Sequence, residues 1–319
     1  MMVERLARII VIVLAIGVPL AAVIVRSPES NMIEMHGQIA ESGGWTPANL
    51  TAQAGEVLRL RLTSDDVMHG FAVGQSDAPA VDVKPGVMTD VSLTFNQPGK
   101  YVFYCTRWCG PNHWRMRGTI EVTGSGVASV AEPPLYVALG IDIDAQHPAE
   151  VVPEQPPSAA RGSKLDVTIP VEYLALDTYR THSPVEVWKE LRGDSFAQGL
   201  SDQAVWDVVA FIWQSHTTPE GLTEAKRLYA ANCAACHGES GQGDGVMADQ
   251  LPGHTLDGHD APQPIDFTDP ALLGASPALL HGKIVRGGMG TSMPYWGPIF
   301  TDDQVWTIVS YLYSFQFGD

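Results

Sequence analysis

The chain has 319 residues, 45% of them hydrophobic, and its 36 Asp and Glu against 19 Lys and Arg give a net charge of −17. This length suits two folded domains and a membrane anchor. The acidic balance argues against a nucleic-acid partner, since the sequence has no basic patch and no phosphate-binding glycine loop with a lysine.

An uncharged apolar run from Ile9 to Val25 is about long enough to cross a bilayer. Arg5 and Arg8 precede it, which favours a cytoplasmic N terminus. A cleaved signal peptide is the alternative, but no clean small-x-small cleavage site follows the run. We therefore predict a single-pass anchor over residues 1–29 of a cytoplasmic (inner) membrane protein, and both interpretations put residues 30–319 on its outer, periplasmic side.

Residues 30–124 carry the alternation of apolar and polar residues that is typical of strands. Leu58, Leu60 and Leu62 alternate with arginines, and further strand-like stretches lie at 91–95, 101–104 and 118–122. The pattern predicts an all-β sandwich.

Cys105 and Cys109 lie between two of these strands, followed by His113 and Met116, and His69 lies upstream. Thiolate, imidazole and thioether donors select copper over hard cations. A second cysteine four residues after the first allows two thiolates to bridge two copper ions. A disulfide, a structural zinc site and a copper chaperone are the alternatives. A disulfide needs neither His113 nor Met116, and zinc rarely binds methionine. A thioredoxin-like chaperone would need alternating strands and helices around the pair, whereas the flanks here are strand-like.

Residues 32–123 resemble the copper domain of haem-copper oxidase subunit II, a cupredoxin-like sandwich with a binuclear CuA centre. The matching stretches are Asp66–Phe71, Pro98–Tyr101 and Tyr104–Ile120. The resemblance implies a specific ligand set: His69, Cys105, Arg107 (through its backbone carbonyl), Cys109, His113 and Met116. Mitochondrial-type members carry a glutamate where Arg107 stands, and its side chain binds magnesium. The similarity is instead to ba-type oxidases, which also have a single anchor helix.

Residues 125–165 are rich in Pro, Ala and Glu, which predicts a semi-extended linker, with a possible short strand at 141–144. Residues 166–217 then repeat the pattern of the chain's C-terminal part. The stretches 183–193 and 200–211 parallel 276–287 and 300–311. The first copy has no haem motif, so we predict a haem-less, cytochrome c-like helical segment whose tryptophans, Trp188, Trp206 and Trp213, pack on the next domain. Two unrelated amphipathic helices are the alternative.

The sequence Cys233-Ala-Ala-Cys236-His237 is a c-type haem attachment motif. A redox dithiol or half of a zinc site would give the same short pattern. The context favours haem, because a predicted helix over 222–234 ends at the motif and a glycine-rich loop follows it.

Residues 218–319 resemble class I cytochromes c, which are all-α. The resemblance implies thioether bonds from Cys233 and Cys236, with His237 as the proximal and Met293 as the distal iron ligand. Met293 precedes Pro294 on a glycine-rich loop, as in that family. Met289 is the second candidate. Three histidines are interpreted as solvated loop residues rather than ligands: His254, His259 and His281.

The two resemblances together imply a terminal cytochrome c oxidase subunit II, with covalent haem c and CuA as cofactors. Its expected partners are the membrane, subunit I with the oxygen-reducing site, and a soluble cytochrome c or other redox donor. A CuA-type nitric oxide reductase and a freestanding membrane-anchored electron-transfer protein remain alternatives. From Glu220 onward there are four Lys and Arg but twelve Asp and Glu, an excess that fits either solubility or the steering of a basic donor to the haem domain.

Overall fold

The computed structural model describes residues 32–110, 112–125, 132–251, 263–288 and 291–318. The predicted anchor lies outside these ranges, as do Met289, His254 and His259. Within the described ranges, no helix combines the length and the hydropathy needed to cross a membrane.

In the described part of residues 32–123, nine strands form two sheets. The strands are β1 (Met32–Gly37), β2 (Trp45–Thr46), β3 (Asn49–Gln53), β4 (Val57–Ser64), β5 (His69–Val73), β6 (Val81–Val83), β7 (Thr89–Thr94), β8 (Gly99–Tyr104) and β9 (Arg117–Thr123). The sheet orders are β2-β1-β4-β7 and β3-β9-β8-β5-β6. The β1–β4 and β3–β9 pairs are parallel, and the other pairs are antiparallel.

The sandwich core is explained by the period-two alternation of its strands. Leu58, Leu60 and Leu62 of β4 point inward and are buried, as the sequence predicts. In β8 and β9, Phe103 and Ile120 also face this core. Antiparallel pairing of β8 with β9, in a register that sets Tyr104 opposite Arg117, brings the ends of the 105–116 loop together.

The second half of the described chain is helical. Its α-helices are α1 (Leu135–Ala138), α2 (Ala159–Gly162), α3 (Leu176–Thr181), α4 (Pro184–Gly193), α5 (Asp202–Ser215), α6 (Pro219–Asn232), α7 (Ala234–His237), α8 (Pro277–Arg286) and α9 (Asp302–Tyr313). Short 3₁₀ turns occupy Ala40–Ser42, His113–Arg115, Val171–Leu174, Ser195–Ala197, Ala248–Gln250 and Pro270–Gly274.

Helices α4 and α8, which belong to the two parallel stretches of sequence, begin in the same way. Ser183 caps α4 and Ser276 caps α8, each serine accepting a backbone N–H, and each helix has proline at its first turn. A side-chain oxygen at this position satisfies an N–H that has no partner in the helix. Ser201 and Thr301 cap α5 and α9 likewise. The local signals therefore predict both helix pairs, and the repeat itself stays a prediction.

The two helical stretches share one hydrophobic core. Trp188, Trp206 and Trp213 lie in it together with Tyr313 of α9. Trp188 stacks on Trp206 with ring centroids 5.4 Å apart, and Trp213 meets the Tyr313 ring edge-on at 5.9 Å. Trp213 thus packs directly on the C-terminal helical domain, while Trp188 and Trp206 stack on each other within the same core.

The described part of the predicted linker, residues 132–165, differs from a semi-extended spacer. It contains α1 and α2, and Ile143 is buried against α8 in a third cluster with Ala275 and Leu279. Asp144 accepts hydrogen bonds from Lys283 at 3.0 Å and from Arg286 at 2.7 Å. Residues 141–144 form no strand. Ion pairs and buried apolar residues hold this segment on the helical domain, which a Pro-rich composition does not reveal.

Candidate metal and haem sites

Two sulfur atoms form the centre of the first candidate site. Cys105 lies just after β8, Cys109 follows in the loop, and their Sγ atoms are 3.9 Å apart. His69 opens β5, and its Nδ1 is 3.9 Å from the sulfur of Cys105. His113 Nδ1 is 3.7 Å from the sulfur of Cys109. Each thiol therefore has one imidazole beside it.

Two further donors approach the same sulfurs. The Sδ atom of Met116 lies 3.3 Å from Cys109 Sγ, and the backbone oxygen of Arg107 lies 3.2 Å from Cys105 Sγ. Met116 and Cys105 are buried. The structure thus brings together all six residues expected in the ligand set, and a donor set rich in sulfur and imidazole fits copper ions.

The two cysteines are not joined. All four cysteines are free, and the separation of 3.9 Å is far beyond the roughly 2.0 Å of a disulfide bond. The hydrogen bond with Cys109 lowers the pKa of Cys105, and the same contact raises the pKa of Cys109. The pair therefore holds one proton firmly until a metal cation displaces it.

Asp66 orients His69, a role that the sequence did not reveal. Its Oδ1 accepts a hydrogen bond from His69 Nε2 at 2.7 Å, while backbone N–H groups of Ile39 and Val67 hold the same carboxylate. Burial alone would lower the pKa of His69, but hydrogen bonds with Cys105 and Asp66 outweigh it and raise that pKa. A carboxylate on Nε2 leaves Nδ1 directed at the sulfur and fixes the ring. In the sequence, the available sign of this role is that Asp66 begins the stretch 66–71, which matches the copper domain of oxidase subunit II.

The side chain of Arg107 points away from the sulfurs. Its guanidinium donates to both carboxylate oxygens of Asp82, at 2.8 and 3.1 Å. The hydrogen bond from Arg107 lowers the pKa of the Asp82 carboxyl, which stays ionised. The side chain at position 107 is therefore neutralised by an acid of this chain and offers no ligand to a hard cation.

Replacing Arg107 by alanine should leave the copper content unchanged, because only its backbone carbonyl faces the sulfurs. Stability should change little, since both members of the Arg107–Asp82 pair are exposed. Metal analysis of the purified variant gives the copper content, and manganese titration followed by electron paramagnetic resonance reports any hard cation. Loss of copper in Arg107→Ala, or a hard cation bound by the wild-type side chain, would contradict the prediction.

The second candidate site begins at a helix end. Helix α6 ends at Asn232, and the attachment motif forms the short helix α7 directly after it, as the sequence predicts. The following loop presses against the motif, because a Cβ on Gly245 would lie 2.4 Å from the carbonyl oxygen of Ala235. Nδ1 of His237 donates to the Ile265 carbonyl at 3.3 Å, which leaves Nε2 free to bind iron. Burial lowers the pKa of His237 and keeps the ring neutral.

A largely apolar cavity of about 630 Å³ opens beside this motif. Its wall includes both cysteines of the motif, His237 and, on the 291–299 loop, Met293. Thr291 accepts a hydrogen bond from the Met293 backbone at 3.1 Å and so fixes this loop. A cavity that contains two thiols, an imidazole and a thioether fits a covalently bound haem with His and Met as axial ligands.

The raised pKa values of the motif cysteines argue against a redox dithiol. Burial raises the pKa of Cys233 to about 12 and also raises that of Cys236. Reactive dithiols have at least one cysteine with a lowered pKa. These thiols instead remain protonated in the haem-free chain.

Two other residues differ from the sequence interpretation. His281 is no solvated loop residue: it lies buried in α8, where Nε2 bonds to Asp302 at 2.9 Å and the ring stacks on Trp306. Ile143, in the predicted linker, lines the haem-sized cavity. The alternation in Ile141-Asp-Ile-Asp144 was its only local signal, and it indicated a strand rather than a cavity wall.

Comparison with known families agrees with both sites. The model of the cytochrome c oxidase subunit II periplasmic domain matches residues 48–123, and the cytochrome c model matches residues 222–316. A cytochrome c oxidase subunit 2 from Thermus thermophilus is 34% identical over 104 residues, which are 33% of this chain and 74% of the relative. The subunit 2 of a second strain of that species is also 34% identical, with 60% of it covered. Among solved structures, the periplasmic domain of subunit II of cytochrome oxidase from Bradyrhizobium japonicum matches 29% of this chain and 83% of its own, at 19% identity and a TM-score of 0.25.

The described chain is thus a cupredoxin-like β-sandwich followed by a helical region with a cytochrome c domain. It belongs to the cytochrome c oxidase subunit II family.

Proposed function

We propose that this chain is the electron-input subunit of a terminal cytochrome c oxidase. It would accept electrons from an external donor at the haem site of Cys233, Cys236, His237 and Met293. It would pass them to a binuclear CuA site and on to a haem-copper subunit I that reduces oxygen. In this assignment a single-pass anchor over residues 1–29 holds the domains at the outer face of the cytoplasmic membrane.

The convergence of four donors on two cysteine sulfur atoms carries the proposal. A mononuclear copper site needs one thiolate, and the second sulfur at 3.9 Å would allow Cys105 and Cys109 to hold a second copper together. When bound, the two coppers share one redox electron and the haem supplies a second one-electron carrier. The chain's own part is to hold the ligands and exclude water: Cys105, Met116 and His113 are buried.

An exposed apolar edge next to this site supports a protein partner there. Met68 precedes His69, Trp108 precedes Cys109, and both side chains are exposed. The Trp108 ring also contacts the ring of His113, with centroids 5.6 Å apart. Large apolar side chains beside a redox centre are typical of a docking face, and subunit I is the partner that the proposed function requires.

Metal and haem analysis of the full chain tests the assignment. We expect two coppers and one covalent haem per chain, with a mixed-valence purple spectrum when the copper is oxidised. Purification from membranes should bring a haem-copper subunit with it, and oxygen uptake should exceed nitric oxide consumption. One zinc in place of copper, or a chain that purifies without a membrane partner, would refute the proposal.

External electrons should enter at the haem before they reach copper. The described surface at the haem cavity includes the exposed acids Asp266 and Asp269, which suit brief docking of a basic donor. Stopped-flow reduction by a basic cytochrome should therefore show the haem band changing first. Because salt screens exposed charges, the second-order rate should fall about tenfold as the ionic strength rises from low to physiological values.

The control is a small neutral reductant, and the rate at which it reduces the haem should depend little on salt. A full-length Cys233→Ser/Cys236→Ser variant should be reduced by the protein donor at least tenfold more slowly at copper. Copper that is reduced first, or equally fast without haem, would contradict this order.

A further inference from the structure

Part of the outer face of the copper sandwich, at the end of β8 that leads to the copper loop, is covered by the helical domain. Strand alternation points Val102 and Tyr104 of β8 away from the sandwich core, yet Val102 is only 8% exposed. Both side chains pack into the core cluster of the helical region. The two domains are therefore in direct contact through the β8–β9 side of the sheet.

Arg117 lies at the centre of this contact. It stands opposite Tyr104 in the β-ladder and directly follows Met116. Its Nη1 donates to the Tyr295 carbonyl at 2.8 Å, and its guanidinium carbon lies 4.9 Å from the Trp296 ring centroid and 5.4 Å from that of Tyr295. A partly buried cation held by a carbonyl and two aromatic faces is a directional contact.

The loop that Arg117 binds is the one that carries Met293. Pro294 alone separates Met293 from Tyr295. A short path therefore links Met116 of the copper set to Met293 of the haem set. It runs through the Arg117 side chain, its hydrogen bond to the Tyr295 carbonyl, and the loop residues Tyr295 and Pro294. Trp296 donates its backbone N–H to the Ile284 carbonyl of α8 at 3.0 Å, so the loop is also anchored in the helical domain.

We call this contact between Arg117 and the Met293–Ile299 loop the joint. A close approach of two backbones supports it independently. A Cβ on Gly74, which follows β5, would lie 2.4 Å from the Pro298 oxygen and 2.7 Å from the Ile299 Cα. Next to it, Gln75 donates its backbone N–H to the Ile299 carbonyl at 3.1 Å and its side-chain amide to the Gly297 carbonyl at 2.7 Å. The space at position 74 thus fits glycine alone while the domains are docked.

We propose that Arg117 is a positioning residue that locks the Met293–Ile299 loop to the copper sheet, so that the haem and copper sites are held at one fixed separation. The role in electron transfer that we give to the joint rests on the proposed function, but the joint itself consists of residues of this chain. The docked arrangement is then a permanent feature of the chain rather than a transient encounter between two tethered domains.

Hydrogen–deuterium exchange on the full chain tests the joint. In Arg117→Met and in Gly74→Ala, two sets of amides should exchange about ten- to a hundredfold faster than in the wild type, since a charge-assisted contact or the close fit is lost. They are the non-proline amides of residues 294–300 and the amide of Gln75, which donates to the Ile299 carbonyl. Arg117→Lys, which keeps the charge but not the fork of donors, should restore part of the protection.

Two matched controls separate the joint from general effects. Arg115→Met removes the same charge on the other side of Met116, from an exposed side chain. Gly99→Ala adds the same methyl group to β8, where the nearest neighbour of a Cβ would be 3.9 Å away. Both should keep wild-type protection over residues 294–300.

Electron transfer within the loaded chain is the second measurement. After photoreduction of the haem, its reoxidation by copper should slow at least tenfold in Arg117→Met and Gly74→Ala, with copper and haem contents unchanged. Unchanged exchange in both joint variants would overturn the inference. A wild-type chain that lacks copper or haem would refute the proposed function instead, and the exchange comparison would still decide on the joint.

Discussion

Replacing Cys109 by serine should abolish the binuclear copper centre while leaving the covalent haem in place. Cys109 Sγ lies within 3.9 Å of Cys105 Sγ, His113 Nδ1 and Met116 Sδ, three of the other donors of the site. A serine hydroxyl is a hard donor and stays protonated near neutral pH, so it cannot bridge two coppers. The purple mixed-valence absorption should disappear completely, and copper analysis should fall from two ions to one or none.

Two comparisons make this result specific. Cys105→Ser should have the same effect, because its sulfur would form the other half of the proposed bridge. Arg107→Ala, in the same loop, should keep both ions. A Cys109→Ser chain that retains the purple spectrum would show that the two sulfurs do not share the metal, and the binuclear assignment would be wrong.

Replacing Met293 by alanine should remove the proposed distal haem ligand. Met293 lines the cavity on the loop that follows α8, and a thioether ligand raises the potential of haem iron. The methionine-to-iron charge-transfer band should vanish and the reduction potential should drop sharply. The haem should remain attached, since both thioether bonds involve Cys233 and Cys236.

Met289→Ala is the matched control on the same glycine-rich stretch, and it should keep the band and the potential. The opposite result, with the band lost in Met289→Ala and retained in Met293→Ala, would exchange the two assignments. Ligand identity can also be read from the magnetic circular dichroism of the oxidised chain.

Much of the fold is predictable from the sequence where the signal is local. The alternation of Leu58, Leu60 and Leu62 with arginines specifies a half-buried strand, and β4 spans it. Serine or threonine caps mark the starts of α4, α5, α8 and α9. The proximity of the six candidate copper donors is predictable for the same reason, because five of them lie within one short loop.

Contacts between distant parts of the chain are the features that the sequence did not reveal. Asp144 is an ordinary acid in a Pro-rich stretch until Lys283 and Arg286 pair with it across the fold. In the sequence alone, nothing distinguishes Arg117 from other polar strand residues or Gly74 from other loop glycines. Only the folded chain shows that both meet the loop after Met293, because such contacts have no local period in the sequence.

The shared core of residues 132–217 with the haem domain decides where the chain can be divided. A haem domain excised at residue 218 would lose Trp213 from beside Tyr313, and it would lose Ile143 from the wall of the cavity. A cut that keeps residues 132–217 with the haem domain preserves both of these contacts, but it still separates Val102 and Tyr104 of β8 from the core of the helical region. The helical segment without a haem motif therefore forms part of the interior of the domain that follows it, and it cannot be removed without opening that interior.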